Sequence, residues 1–194
     1  MLSIEIQAVK RTELGKSAVK ALRKKGLVPC AMYGKGEAIH FAVESKQIAK
    51  AIYTPEVYLI HLDIEGEKYK ALLSRTDFHP VHENLLHADF VRVYEDRPVE
   101  VALPVKLTGT SPGVLMGGKL VQKLRKITVK GLYTDLPRHL NVDISKLRLG
   151  RSLKTGELSF DKLEIVMAQN IPVASVELTR ALRQEAVAAA KAKK

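Results

Sequence analysis

Four groups of residues in this chain have types and spacings that could do chemistry. The densest is a run of cations. Lys10, Arg11, Lys16, Lys20, Arg23, Lys24, Lys25 and Lys35 stand between positions 10 and 35 against one carboxylate, Glu13. Like charges gathered this closely call for a neutralising anion, and a polyphosphate backbone is the anion that engages many at once. Lys16, Lys20 and Arg23 fall at i, i+4 and i+7 with Lys24 beside them, so on a helix they share one face. Ala18 and Leu22 fall on another face, free to pack on a sheet. A solvated surface helix would show the same spacing. Three neighbours favour the phosphate reading: Lys10 and Arg11 just before, Lys35 after the next strand, and Gly15 and Gly26 at the flanks, where backbone can approach a phosphate.

The second group is His87-Ala88-Asp89-Phe90. On a strand His87 and Asp89 point to one face, and Ala88 and Phe90 to the other. A His–Asp pair can belong to a catalytic triad, but no Gly-x-Ser-x-Gly elbow or comparable nucleophile accompanies it. In an RNA site an aspartate can accept from a base amino group or a 2′-hydroxyl, and a histidine can stack or hydrogen-bond. An Asp89 that only orients His87 or a nearby arginine is the plainer alternative. The third group, His79-Pro80-Val81-His82 followed by His87, suggests zinc. It has no nearby cysteine, and the chain's single cysteine, Cys30, has no Cys-x-x-Cys partner, so no metal is expected. The fourth, Gly113-Val114-Leu115-Met116-Gly117-Gly118-Lys119-Leu120, nearly matches the phosphate-loop pattern. Leu120 stands where the magnesium-binding hydroxyl belongs, and a turn rather than a buried strand precedes it, so a structural glycine loop is expected and no nucleotide cofactor.

The elements that must hold these groups are mostly strands. Residues 2–9 alternate apolar and polar, 29–33 form a short apolar run closed by Gly34, and 38–43 and 57–64 follow. Glu65-Gly66-Glu67 reads as a hairpin turn into residues 68–73, and 86–93 as a further strand before a turn at Glu95-Asp96-Arg97-Pro98. Two short helices are expected, one over 17–25 ended by Gly26 and Pro29, and one over 45–52 with Ser45 as N-cap. Short strands with turns between them suggest a closed or nearly closed antiparallel barrel decorated by helices. A domain boundary is placed at Arg97-Pro98. Beyond it, residues 99–107, 126–132, 141–144 and 171–178 read as strands, with a glycine-rich loop over 109–118. The expected organisation is therefore a first domain over 1–96, a β-rich second domain over 97–178, and a basic Ala- and Lys-rich tail over 179–194, helical or frayed. The fold class is mainly β with short helices.

Composition narrows the partners. Of 194 residues 46% are apolar and 27% charged, as in a folded soluble protein, and the net charge is +11. Residues 1–96 carry 14 Lys and Arg against 13 Asp and Glu, a net of +1, while residues 97–194 carry 18 against 8, a net of +10. An acidic partner is implied, nucleic acid or an anionic surface. No apolar run approaches the roughly 20 residues of a membrane span, and residues 1–7 have no signal-peptide core, so no membrane partner is expected. Cys30 excludes an intrachain disulfide, fits a reducing cytosol, and reads as a small buried hydrophobe.

Arg11, Gly15-Lys16, Arg23-Lys24, Gly26, Pro29 and Tyr33-Gly34, followed by His87-x-Asp89-Phe90, form a pattern that resembles the 5S-rRNA-binding ribosomal protein family of the bacterial large subunit. Pro104-Val105, Leu107-Thr108-Gly109, Ser111-Pro112-Gly113-Val114, Gly117-Gly118-x-Leu120 and Val142-Asp143-Ile144-Ser145 resemble the second domain of its long, two-domain form, the general stress protein Ctc type. The likeness covers about residues 1–178. It implies an N-terminal six-stranded antiparallel barrel that docks on the loop E region of 5S rRNA through the minor groove. Carried over by position, the RNA contacts would be Arg11, Arg23, Tyr33, His87 and Asp89, with Lys16 and Lys20 as further phosphate contacts, and Lys24, beside them on the helix, is also expected to bind RNA. Ala21 stands where a second arginine can occur in relatives, and Lys20 where arginine can stand. A lysine there lacks the bidentate fork, so a point-charge phosphate contact is expected of it. The resemblance implies a ribosome-bound cytoplasmic constituent of the large subunit with no catalytic activity, no cofactor and no small-molecule substrate. The charge of the second domain adds 23S rRNA and neighbouring ribosomal proteins as candidate partners. The competing reading is a general nucleic-acid-binding stress protein acting off the ribosome.

Overall fold

The computed structural model describes residues 1–179 of the 194. The tail expected over 179–194 lies outside the described residues, apart from Thr179. The chain divides into two compact units, one of residues 1–101 with 131–138, the other of residues 102–130 with 139 onward.

In the first unit the elements run β1 (Leu2–Lys10), α1 (Lys16–Lys24), β2 (Leu27–Tyr33), β3 (Ile39–Glu44), α2 (Ser45–Ile52), β4 (Tyr58–Ile64), β5 (Glu67–Phe78) and β6 (Leu85–Arg92). The six strands close into a barrel in the order β1-β3-β2-β6-β5-β4. Closure leaves the sheet no free edge. The barrel is the six-stranded one expected, with one refinement to its antiparallel character: β2–β3, β1–β3, β4–β5 and β5–β6 are antiparallel, while β1–β4 and β2–β6 are parallel. No hairpin turn joins either parallel pair, so no reversal of the chain dictates their direction.

Alternation along each strand sorts side chains to the two faces. Ile6, Cys30, Met32, Phe41, Val43, Ile60, Leu62, Ala88 and Phe90 fill the interior, and α2 adds Ile48 and Ala51. Phe41 and Phe90 meet there with ring centroids 5.5 Å apart. The hairpin from β4 to β5 turns on Glu65 (φ 54°) and Gly66 (φ 93°), the two left-handed residues of a two-residue loop whose twist matches the strands. Ser45 is the first residue of α2 rather than its N-cap. Glu44 takes the cap position and makes no side-chain cap, and the Ser45 N–H is bonded to the Gly26 carbonyl at 3.2 Å.

Cys30 is fully buried, and that burial pushes its thiol up to about 12 from 9.0. The unfolded thiol ionises near 9.0 and the folded one does not, so this group's contribution to stability is complete below pH 9 and is lost as pH rises toward 12. Ellman's reagent at pH 8 is expected to leave native protein untouched and to react with one thiol after denaturation. Fast reaction of native protein would contradict a sealed barrel.

The second unit is built on β7 (Val99–Thr108), α3 (Pro112–Leu115), β8 (Lys119–Gln122), β9 (Lys126–Gly131), β10 (Leu140–Asp143), β11 (Ser152–Lys154), β12 (Glu164–Ile165) and β13 (Pro172–Glu177). These form a four-stranded sheet, β10-β7-β9-β12, and a three-stranded one, β11-β13-β8. Leu103, Ile127, Val129, Leu140 and Val142 of the first sheet are buried, and Val173, Ala174 and Val176 of β13 are buried from the second. Strands β8, β11 and β12 have four, three and two residues, too short to show a period in the sequence.

Candidate nucleic-acid interface

The outer faces of β5 and β6, with α1 beside them, gather most of the residues singled out by type and spacing. Ala88 and Phe90 of β6 point into the barrel, which turns His87 and Asp89 outward, as their two-residue spacing requires. His87 Nδ1 lies 3.2 Å from Asp89 Oδ1. That Asp89 oxygen is buried and takes no hydrogen bond, and Arg11 Nε is likewise buried and donates none. Buried polar atoms without a hydrogen bond are uncommon in folded proteins. Arg11 is otherwise well fixed: its backbone N–H donates to the His40 carbonyl at 2.9 Å and its Nη2 to the Glu13 carbonyl at 3.1 Å.

Helix α1 cannot be stable by itself. It has nine residues, none fully buried, and no side-chain cap at Gly15. Half-buried Ala18, Val19 and Leu22 set one side of it, and Lys16, Lys20, Arg23 and Lys24 stay exposed. Arg23 and Lys24 occupy the last turn, where cations suit the negative end of the helix dipole. Gly26, at φ 77°, ends the helix with its N–H on the Arg23 carbonyl at 3.1 Å. The tie to the barrel is Arg23. Its Nε and Nη2 both donate to the Leu86 carbonyl, at 3.1 and 2.8 Å, one residue from His87. The helix cations face a groove whose other wall is His79 and His82.

Those two histidines do not assemble a metal centre. Their rings stack at 4.8 Å, and His79 Nδ1 accepts the backbone N–H groups of Val81 and His82, each at 3.2 Å. Among the described residues no three His, Cys, Asp or Glu side chains converge as metal ligands.

Sequence reasoning missed a second charged pair. β5 runs to Phe78, five residues past the expected end, and its register shifts between Leu73 and Arg75. The irregularity puts Arg75 opposite Asp89 and Asp77 opposite His87, with Arg75 Nε 3.1 Å from Asp77 Oδ1. The alternation of Arg75-Thr76-Asp77 was the available signal, obscured by the bulge. Tyr33 is exposed at the end of β2, opposite Val91 of β6, two residues along that strand from Asp89. Beside it Arg92 lies over the rings of Tyr69 and Tyr94, at 4.7 and 5.2 Å, another cation–aromatic group that no spacing announced. Chemically this face offers guanidinium and ammonium donors, a partly exposed carboxylate and an exposed phenol ring.

Residues 6–90 match the Ribosomal L25p family, and residues 98–180 match the C-terminal domain of ribosomal protein TL5. The large ribosomal subunit protein bL25 of Bacteroides thetaiotaomicron is 45% identical over 196 residues, covering 98% of this chain and 100% of the relative. That of Azobacteroides pseudotrichonymphae is 43% identical, over 94% of this chain and 97% of the relative. That of Cytophaga hutchinsonii is 41% identical, over 98% and 100%.

Proposed function

We propose that this chain, which belongs to the ribosomal L25p family, grips 5S rRNA with the barrel face that carries Arg11, α1, His87 and Asp89. It is a structural constituent of the large ribosomal subunit, ribosome-bound in the cytoplasm, and the family is not one of enzymes. The observation that carries the 5S reading is the exposed row of cations on α1 beside the partly exposed His87–Asp89 pair, to whose strand Arg23 is tied. The cations are donors and the Asp89 carboxylate is an acceptor. An RNA supplies both complements, because bases and 2′-hydroxyls donate as well as accept, whereas phosphate alone only accepts. Lys16, Lys20 and Lys24 then take phosphates as point charges. Arg23 holds the helix on the barrel with two of its donors and has its remaining N–H groups for RNA. Tyr33 supplies a stacking face or a hydroxyl at the edge of the same domain.

The test is a gel-shift titration against a 5S rRNA loop E fragment and a scrambled hairpin at about 50 and 200 mM salt. Binding to both RNAs should weaken steeply as salt rises, while a preference of at least tenfold for loop E persists at the higher concentration. Equal affinity for the two RNAs, lost together, would replace this reading with general nucleic-acid binding by charge.

A further inference from the structure

The glycine loop that resembles a phosphate-binding motif has a different task in the structure. Gly113 is buried, and its N–H lies on the Leu147 carbonyl at 3.3 Å; the buried Ser111 hydroxyl donates to that same carbonyl. A Cβ on Gly113 would lie 2.6 Å from the Leu149 backbone nitrogen and 2.8 Å from the Arg148 carbonyl carbon. One on Gly118 would lie 2.5 Å from Leu149 Cδ1 and from Val176 Cγ1. The loop therefore clamps the backbone of residues 147–149 against the second unit. The far side of that segment is pinned as well. Gly150 N–H donates to the Val176 carbonyl at 2.9 Å, and Val176 N–H to the Arg151 carbonyl at 3.1 Å.

The clamped segment has its own pattern. Residues 144–156 contain four cations and no carboxylate. Ile144 and Leu147 are buried and Leu149 and Leu153 pack on them, while Lys146, Arg148, Arg151 and Lys154 are exposed around one groove. None of the four enters an ion pair or a side-chain hydrogen bond among the described residues. Two carboxylates also line the groove. Asp143 accepts both the backbone N–H and the hydroxyl of Ser145, at 2.9 and 2.6 Å, which hold its carboxyl below the usual range. Glu157 is the second. Four cations on a rigid backbone against two carboxylates leave the groove net positive, arranged for an outside anion.

We propose that the groove bounded by Lys146, Arg148, Arg151 and Lys154 is a second RNA-backbone site, holding a segment of RNA other than the one on the barrel. The proposal extends the reading that the chain works on RNA. Phosphate fits better than an acidic protein. None of the groove's leucines is widely exposed, so it lacks the apolar or aromatic centre on which protein interfaces are built. Two guanidinium forks and two ammonium groups suit the repeating charge of a phosphate chain.

The experiment uses the full chain saturated with 5S loop E fragment and titrated with labelled, protein-free 23S rRNA. Three proteins are compared: wild type, Arg148→Gln/Arg151→Gln, and a charge-matched control, Lys119→Gln/Lys126→Gln, altered at exposed cations elsewhere in the second unit. The groove variant should bind 23S rRNA at least tenfold more weakly, with a log–log salt slope shallower by about 2, and should keep loop E affinity within twofold. The control should stay within threefold of wild type. Equal losses in both variants would make the binding diffuse charge and overturn the site, as would no loss in the groove variant. Polyglutamate held with the same dependence on Arg148 and Arg151 would make the partner an acidic protein and also overturn it. Wild type that ignores loop E but binds 23S rRNA through the groove would support the groove and remove the barrel reading alone.

Discussion

Replacing Arg23 with alanine should weaken binding to a 5S loop E fragment by about 10- to 100-fold, the 1–3 kcal/mol of a good direct contact. The size follows from the side chain's double attachment. Its Nε and Nη2 grip the Leu86 carbonyl with two hydrogen bonds, the side-chain bonds that tie α1 to β6 among the described residues. Without them a nine-residue helix with no fully buried side chain can fray, and Lys16, Lys20 and Lys24 lose their fixed positions together. Arg23→Lys separates charge from geometry. A lysine keeps the cation but lacks the planar fork that reaches one carbonyl with two donors, so it should recover only part of the loss. Full recovery by lysine would show that Arg23 acts by charge alone and that the helix needs no such tie.

Gly113→Ala should destabilise the second unit by about 3 kcal/mol, the upper end of the cost of overpacking, and lower its thermal midpoint by on the order of 10 °C. The new Cβ would meet the backbone at Arg148 and Leu149, and backbone cannot step aside as a side chain end can. Gly150→Ala is the comparison. A Cβ there meets only Leu178 Cδ1 at 3.8 Å, so what remains is the strain of its φ of +72°, about 1 kcal/mol. Calorimetry on the two variants should rank them in that order. A Gly113→Ala protein that melts like wild type would remove the clamp, and with it the rigidity attributed to the basic segment beside it.

Much of the architecture was legible in the amino-acid order because each element obeys a local rule. The alternation over residues 2–9 became β1, and Glu65-Gly66 became a two-residue turn with both residues left-handed. Gly26 ended α1 where a C-terminal glycine should. The outward facing of His87 and Asp89 followed from a period of two. Other features depended on neighbours distant in sequence. Ser45 looks like an N-cap in its own segment, yet the Gly26 carbonyl, 19 positions earlier, binds its N–H. The late half of β5 was missed because a bulge interrupts its alternation, and Arg75 and Asp77 were missed with it.

The order of residues alone determined the cationic face of α1, the His–Asp spacing, the mainly β class and the concentration of charge in the second half. All are periodicities or compositions, properties of a chain read over a few residues. Only tertiary structure decided that two barrel seams are parallel, that Arg23 places two donors on Leu86, and that Asp89 is held beside His87. It also decided that the glycine loop closes on the backbone of residues 147–149 instead of cradling a phosphate. Closure of a barrel, satisfaction of a hydrogen bond and the room left around a glycine are set by atoms many positions apart, and no local pattern encodes which of them will meet.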